Sequence, residues 1–223
     1  MRSALSLCRR TVIHLNHRGY IYVWANIFWF LLTLPIITAP AAWAGLVYLS
    51  RQAYLNRTAT LDDFWVGFRM NLWRGMLMAV VNILVIGLNL FNIGTYSNAT
   101  DFTSLTLRSV WWLTLVVWIA VQFYMWPLFY ELKTPTLWGA LRNAFVMALL
   151  NPVFTIVLMI VVALLVAVST FLFPAWVVLT GSALAALSTG AVLDRLIKAG
   201  LRDQFPQPEL ESSEDDFGGM NVE

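Results

Sequence analysis

The chain has 223 residues, 60% of them hydrophobic and 12% charged, where a soluble domain carries about 25% charged residues. That composition excludes an ordinary water-soluble globule and points to a membrane. A net charge of +2 without a basic, aromatic-interleaved patch excludes a nucleic-acid binder, and the single cysteine, Cys8, excludes an intrachain disulfide and a multi-cysteine metal site.

The N-terminal stretch is basic, with Arg2, Arg9, Arg10 and Arg18, and has no long apolar run directly behind its charges. It reads as a retained segment, not a cleaved signal peptide. His14 and His17, three apart, have no Cys, Asp or Glu nearby and read as interfacial histidines. Between Arg18 and Arg51 lie 32 uncharged residues. A bilayer core of about 30 Å needs about 20 apolar residues per helix, so this run exceeds one crossing and is short for two. Pro35 and Pro40 break it, giving segments at about 20–37 and 38–50 that either cross as a short pair or form a re-entrant hairpin. Asn26, a lone polar group at membrane depth, is expected to hydrogen-bond a neighbouring helix.

Residues 51–74 hold four arginines and two aspartates. Thr60 with Asp63 reads as a capping box, followed by Leu61, Phe64, Trp65, Phe68 and Leu72 on one helical face. This predicts an amphipathic helix in the membrane interface. A third apolar segment follows at about 75–94, with Asn82 and Asn89 two turns apart on one face. A polar loop at 95–108 leads to a fourth segment at about 109–130, flanked by Trp111, Trp112, Tyr124, Trp126 and Tyr130. Thr134 and Pro135 predict the start of a second amphipathic helix, with Leu137, Trp138, Leu141, Phe145 and Ala148 on its apolar face. The fifth and sixth segments fall at about 153–172 and 174–194, joined by a very short link. Ser182, Ala186 and Gly190 form a stripe of small residues on the sixth.

The fold class expected is all-α: a polytopic membrane bundle of about six transmembrane segments with two interfacial amphipathic helices. Residues 1–202 form one integral membrane domain, and 203–223, with seven acids and no base, form a disordered acidic tail. Thirteen of the 14 bases fall on one side if both termini are cytoplasmic, leaving Arg108 outside, as the positive-inside rule requires of a plasma-membrane protein.

Catalytic motifs, cofactor-binding loops and metal-ligand spacings are absent, and the segment interiors carry no ionisable residue. The chain reads as a non-enzyme without a cofactor. Asn26, Asn82 and Asn89 are a candidate polar cluster within the membrane. Arg69 and Arg142, each four residues after a tryptophan, are candidate docking residues for a membrane or cytoplasmic transport component; the lipid bilayer is the other expected partner.

Asn26, Trp29, Leu34-Pro35, Thr38-Ala39-Pro40-Ala41, Asp63-Phe64, Phe68 and Asn71 together resemble the pattern of the YesL-like bacterial membrane proteins, a domain of unknown function. Ala39 stands where that pattern has glycine. The resemblance implies an accessory or regulatory role linked to carbohydrate uptake. The competing expectation, from the six-segment layout and the asparagines at membrane depth, is a permease-like subunit for a neutral solute such as a sugar.

Overall fold

The computed structural model describes residues 2–17, 19–55, 59–98 and 100–202. The expected disordered tail, 203–223, lies outside them, as do Arg57 and the side chain of His17. Every regular element among the described residues is helical. In chain order they are α1 (Arg2–His17), α2 (Gly19–Thr33), α3 (Ala39–Leu55), α4 (Leu61–Met70), α5 (Leu72–Thr95), α6 (Phe102–Phe129), α7 (Leu137–Leu150) and α8 (Pro152–Phe171). A short turn, α9 (Phe173–Ala175), then runs through a π-helical turn (Trp176–Thr180) into α10 (Gly181–Lys198). Four helices are long and apolar enough to cross a membrane: α5, α6, α8 and the continuous run Phe173–Lys198. The chain is a membrane-type helical protein.

Local chemistry sets the helix starts. At α4 the Asp63 carboxylate accepts the Thr60 amide at 2.9 Å, closing the expected capping box. The Asp101 carboxylate caps α6 by accepting the Ser104 amide at 3.0 Å, and that bond holds its carboxyl below the usual carboxylate range. Pro152 occupies the first turn of α8, where a missing amide costs nothing. The start of α7 differs from expectation: Thr136, not Thr134, caps it, accepting the Gly139 amide at 3.2 Å. Thr136 has the extended backbone of a cap, φ −126° and ψ 142°, and the helix opens at Leu137, so Pro135 stands before the cap and not at the first helical position.

Two helices form the centre. Residues Ala41, Ala42, Ala44, Gly45, Leu46, Val47, Leu49 and Ser50 of α3 are buried, as is nearly all of α10 from Gly181 to Leu193. A helix buried on all sides belongs inside a bundle, and small side chains allow the close approach. Three glycines mark the crossings. A Cβ on Gly67 would lie 2.5 Å from the Tyr48 Cβ, one on Gly75 would lie 2.6 Å from the Ala41 backbone, and one on Gly181 would strike the Trp29 ring at 2.4 Å. The stripe expected on the sixth segment is buried at Ser182, Ala186 and Gly190. Helix α7 packs on α6 through Ala140, Ala144 and Ala148, while Trp138 and Phe145 are exposed. Its inward face is thus the alanine stripe.

The α1 helix was read only as a basic stretch. Leu7 and Thr11 are buried on it, with Cys8, His14 and Leu15 half-buried alongside, a spacing that fits one helical face. It packs on α10. His14 bonds the Tyr22 hydroxyl at 3.0 Å and stacks on Tyr54 at 4.1 Å. Burial pushes the Cys8 thiol up, away from the reactive thiolate.

Charges gather at one end. Glu131, just past α6, pairs with Arg51 of α3 at 2.7 Å and with Arg202 beyond α10. Nearby the Tyr130 hydroxyl donates to the Ala44 carbonyl at 2.9 Å and accepts from the Asn71 amide at 2.8 Å. Asp194 pairs with Lys198 at 2.8 Å and Arg195 at 3.1 Å, and Arg195 lies over the Phe154 ring. At the far end Arg108 donates to the Ser97 carbonyl at 2.9 Å.

Candidate functional site

The α2–α3 turn, residues 34–38, meets most of its hydrogen-bonding needs from within. Three of its four amides, and that of Ala39, are paired internally: Leu34 to Leu31 at 3.4 Å, Ile36 to Thr33 at 3.0 Å, Ile37 to Pro35 at 2.6 Å and Ala39 to Ile36 at 3.1 Å. Pro35 and Pro40 have no amide to satisfy. The Thr33 hydroxyl caps the Trp29 carbonyl at 2.7 Å, and the Thr38 hydroxyl caps that of Leu32. Ile36 takes a left-handed backbone, φ 61°, which strains a β-branched residue.

A cavity of about 360 Å³ lies against this turn. Trp29 and Thr33 of α2, Ala39, Pro40 and Trp43 of α3, and Asn82 of α5 form one side. Ile119, Gln122, Phe123 and Trp126 of α6, Met159 and Val162 of α8, Trp176 of the π turn and Leu184 of α10 complete it. Four tryptophans wall the space, and no charged side chain reaches it. The polar side chains are Thr33, Asn82 and Gln122. Asn82 accepts the Trp118 indole N–H at 3.1 Å through Oδ1. An indole nitrogen only donates, so this bond fixes the amide orientation and leaves the Asn82 NH₂ as a free donor. The Gln122 Nε2 is buried and has no hydrogen-bond partner.

The three asparagines named from sequence have separate partners, and of them only Asn82 lines the cavity. Asn26 is fully buried and holds the π turn. Its NH₂ donates to the carbonyls of Trp176 at 2.7 Å and Val177 at 2.8 Å, and its Oδ1 accepts the Ser182 amide at 2.7 Å. A π turn displaces backbone groups from the α-helical ladder, and this one side chain takes up three of them. The Ser182 hydroxyl adds a bond to the Tyr22 carbonyl at 2.7 Å. Asn89 donates to the carbonyl four residues back, Val85, at 2.8 Å, and its buried Oδ1 has no partner. Arg69 and Arg142 are exposed, on α4 and α7.

Gln122 and the tryptophan walls were missed by sequence reasoning. The signal was there at four-residue spacing: Trp29 with Thr33, and Gln122 with Trp126, each share one helical face. Among the described residues no group of three His, Cys, Asp or Glu could hold a metal ion.

Residues 22–93, covering α2 through most of α5, match a family model described as "Protein of unknown function, DUF624". No curated protein and no solved structure matches the chain. The chain is thus a membrane-type helical protein with a DUF624 region, and that region contributes the turn and one side of the cavity.

Proposed function

We propose that this is a multi-pass plasma-membrane protein of the YesL-like kind, an accessory or regulatory component of carbohydrate uptake with no catalytic role of its own. In this reading α5, α6, α8 and the α9–α10 run cross the bilayer, and α2–α3 is a re-entrant hairpin. The distance supports this: from Arg51 to the turn is about 18 Å along α3 at 1.5 Å per residue, against a core of about 30 Å. The internal amide bonds of Leu34, Ile36 and Ile37 support it too, because backbone in lipid must be satisfied internally. Both termini then face the cytoplasm, and the basic end is the inner one.

The observation that carries the accessory reading over a sugar permease is the use of Asn26. Both of its amide hydrogens and its oxygen are engaged in holding the π turn. The cavity that remains offers few polar groups, whereas each sugar hydroxyl buried without a partner costs roughly 1–3 kcal/mol. Arg69 and Arg142, exposed on α4 and α7, are the docking residues of this proposal, and α4 and α7 its interfacial helices.

The test is a tagged full-length chain purified in mild detergent from its own membranes. Components of a solute-uptake system should co-purify, and Arg69→Glu or Arg142→Glu should lose them while the protein stays inserted. Flux of a neutral sugar into liposomes containing this protein alone would replace the accessory reading with the permease.

A further inference from the structure

The cavity has a chemistry of its own. Its walls are the rings of Trp29, Trp43, Trp126 and Trp176, and nothing charged lines it. Its size falls within the range of small-molecule sites, about 300–1,000 Å³. Two carboxamides line it with unspent donors. Asn82 presents NH₂ because its oxygen is taken by the Trp118 indole. The Gln122 Nε2 is buried with no protein partner, a costly state unless something else accepts from it. Ile119, which lines the same space, is 50% exposed on the outer surface of α6, so the cavity borders the lipid side of the bundle.

We propose that the cavity binds an uncharged, largely apolar ring compound that enters from the bilayer and carries a hydrogen-bond-accepting oxygen. The ring body stacks among the tryptophans, the oxygen accepts from Asn82, and the buried Gln122 amide turns into the space to donate as well. The absence of a countercharge excludes ionised ligands, since an unpaired charge in such a site is far more costly than an unpaired amide. The scarcity of polar partners excludes polyols. A carbonyl-bearing ring satisfies both donors and adds no donor of its own. This inference does not depend on the accessory role: it concerns the cavity, whatever partners the protein has.

The experiment uses the full chain in phosphatidylcholine nanodiscs, with 2,3-dimethyl-1,4-naphthoquinone as probe. Quinones quench tryptophan fluorescence, and the site is walled by tryptophans. Quenching should saturate. Gln122→Met keeps the length of the side chain but removes the donor, so it should weaken binding about five- to tenfold. The same variant should leave the melting temperature of the unliganded protein unchanged or higher, because a buried unsatisfied group has gone. Ala39→Leu fills the cavity from the turn side without touching either carboxamide, and it should abolish the saturable component. 2,3-Dimethylnaphthalene, the same shape without oxygens, should shift the melting temperature of the parent and of Gln122→Met equally. Quenching that rises linearly with probe in the bilayer, or a binding constant indifferent to both Gln122→Met and Ala39→Leu, would overturn the proposal.

Discussion

A single amide side chain secures the least regular backbone in the molecule. Asn26→Leu would leave the Trp176 and Val177 carbonyls and the Ser182 amide unpaired in a buried place, a loss of roughly 2–4 kcal/mol. Thermal unfolding in detergent should show a clear fall in melting temperature, and an unchanged value would mean that the π turn holds itself. Ile36 makes the opposite case. Its left-handed backbone, φ 61°, costs a branched residue about 1–2 kcal/mol, so Ile36→Gly should raise stability by about 1 kcal/mol in the same assay. At this scale the sequence was half legible. Asn26 stands alone among apolar residues, and a buried polar group needs a partner, so its interhelical bond was foreseeable. Its partners were not, because a π turn arises from how α10 is fitted against Trp29 and Tyr22, 150 residues away in the chain.

At the scale of the element, crossings through glycine decide which helices touch. Gly45 and Gly67 bring α3 and α4 together so closely that a methyl on Gly67 would sit 2.5 Å from the Tyr48 Cβ and 3.1 Å from the Gly45 Cα. Gly67→Ala should cost about 1–3 kcal/mol by overpacking. Gly87→Ala is the control, since nothing lies within 4 Å of its site, and the better helix former should be neutral or stabilising by up to about 1 kcal/mol. Equal effects of the two substitutions on melting temperature would remove the crossing argument. Helix existence was legible wherever uncharged runs were long: α5, α6, α8 and the last segment fall within a few residues of expectation, apart from the start of α6. That helix begins at Phe102, inside what read as a polar loop, because the Asp101 cap extends it outward. On α7 the expected face of Leu137, Trp138, Leu141, Phe145 and Ala148 shares only Ala148 with the closely packed stripe Ala140, Ala144 and Ala148, because large aromatics dominate a pattern search whereas close packing selects small residues.

For the whole molecule the question is which parts meet water on which side. In a Cys8→Ala background, Asn98→Cys should react with an impermeant maleimide added to intact cells, and Lys133→Cys should not. Ile36→Cys separates the two forms of the first hairpin: a re-entrant turn stays unlabelled from outside, while a full crossing is labelled. Labelling at 133 from outside would invert the orientation, and labelling at 36 would give the α2–α3 pair full spans. The membrane class was readable from composition alone. The cavity was not, because its lining comes from six helices and the π turn, and no local pattern announces a space between elements.

The π turn carries one more consequence. A π turn is the mark of a surplus residue accommodated in a helix, so the phase of everything after it depends on that surplus. Five residues wound as a π turn lag five wound as an α-helix by about one residue's rotation, about 100°, so deleting Val178 and winding Phe173–Lys198 as an ordinary helix would leave Ser182, Ala186 and Gly190 on the face they now hold. Relaxing the turn to an α winding with no residue lost would instead swing that stripe off α1 and α3 by about 100°. A one-residue deletion in the turn should therefore lower the melting temperature in detergent less than a one-residue deletion within Gly181–Leu193, which has no surplus residue to give up. The turn absorbs one extra residue so that the last helix keeps its face, and Asn26 pairs the backbone groups that the turn displaces.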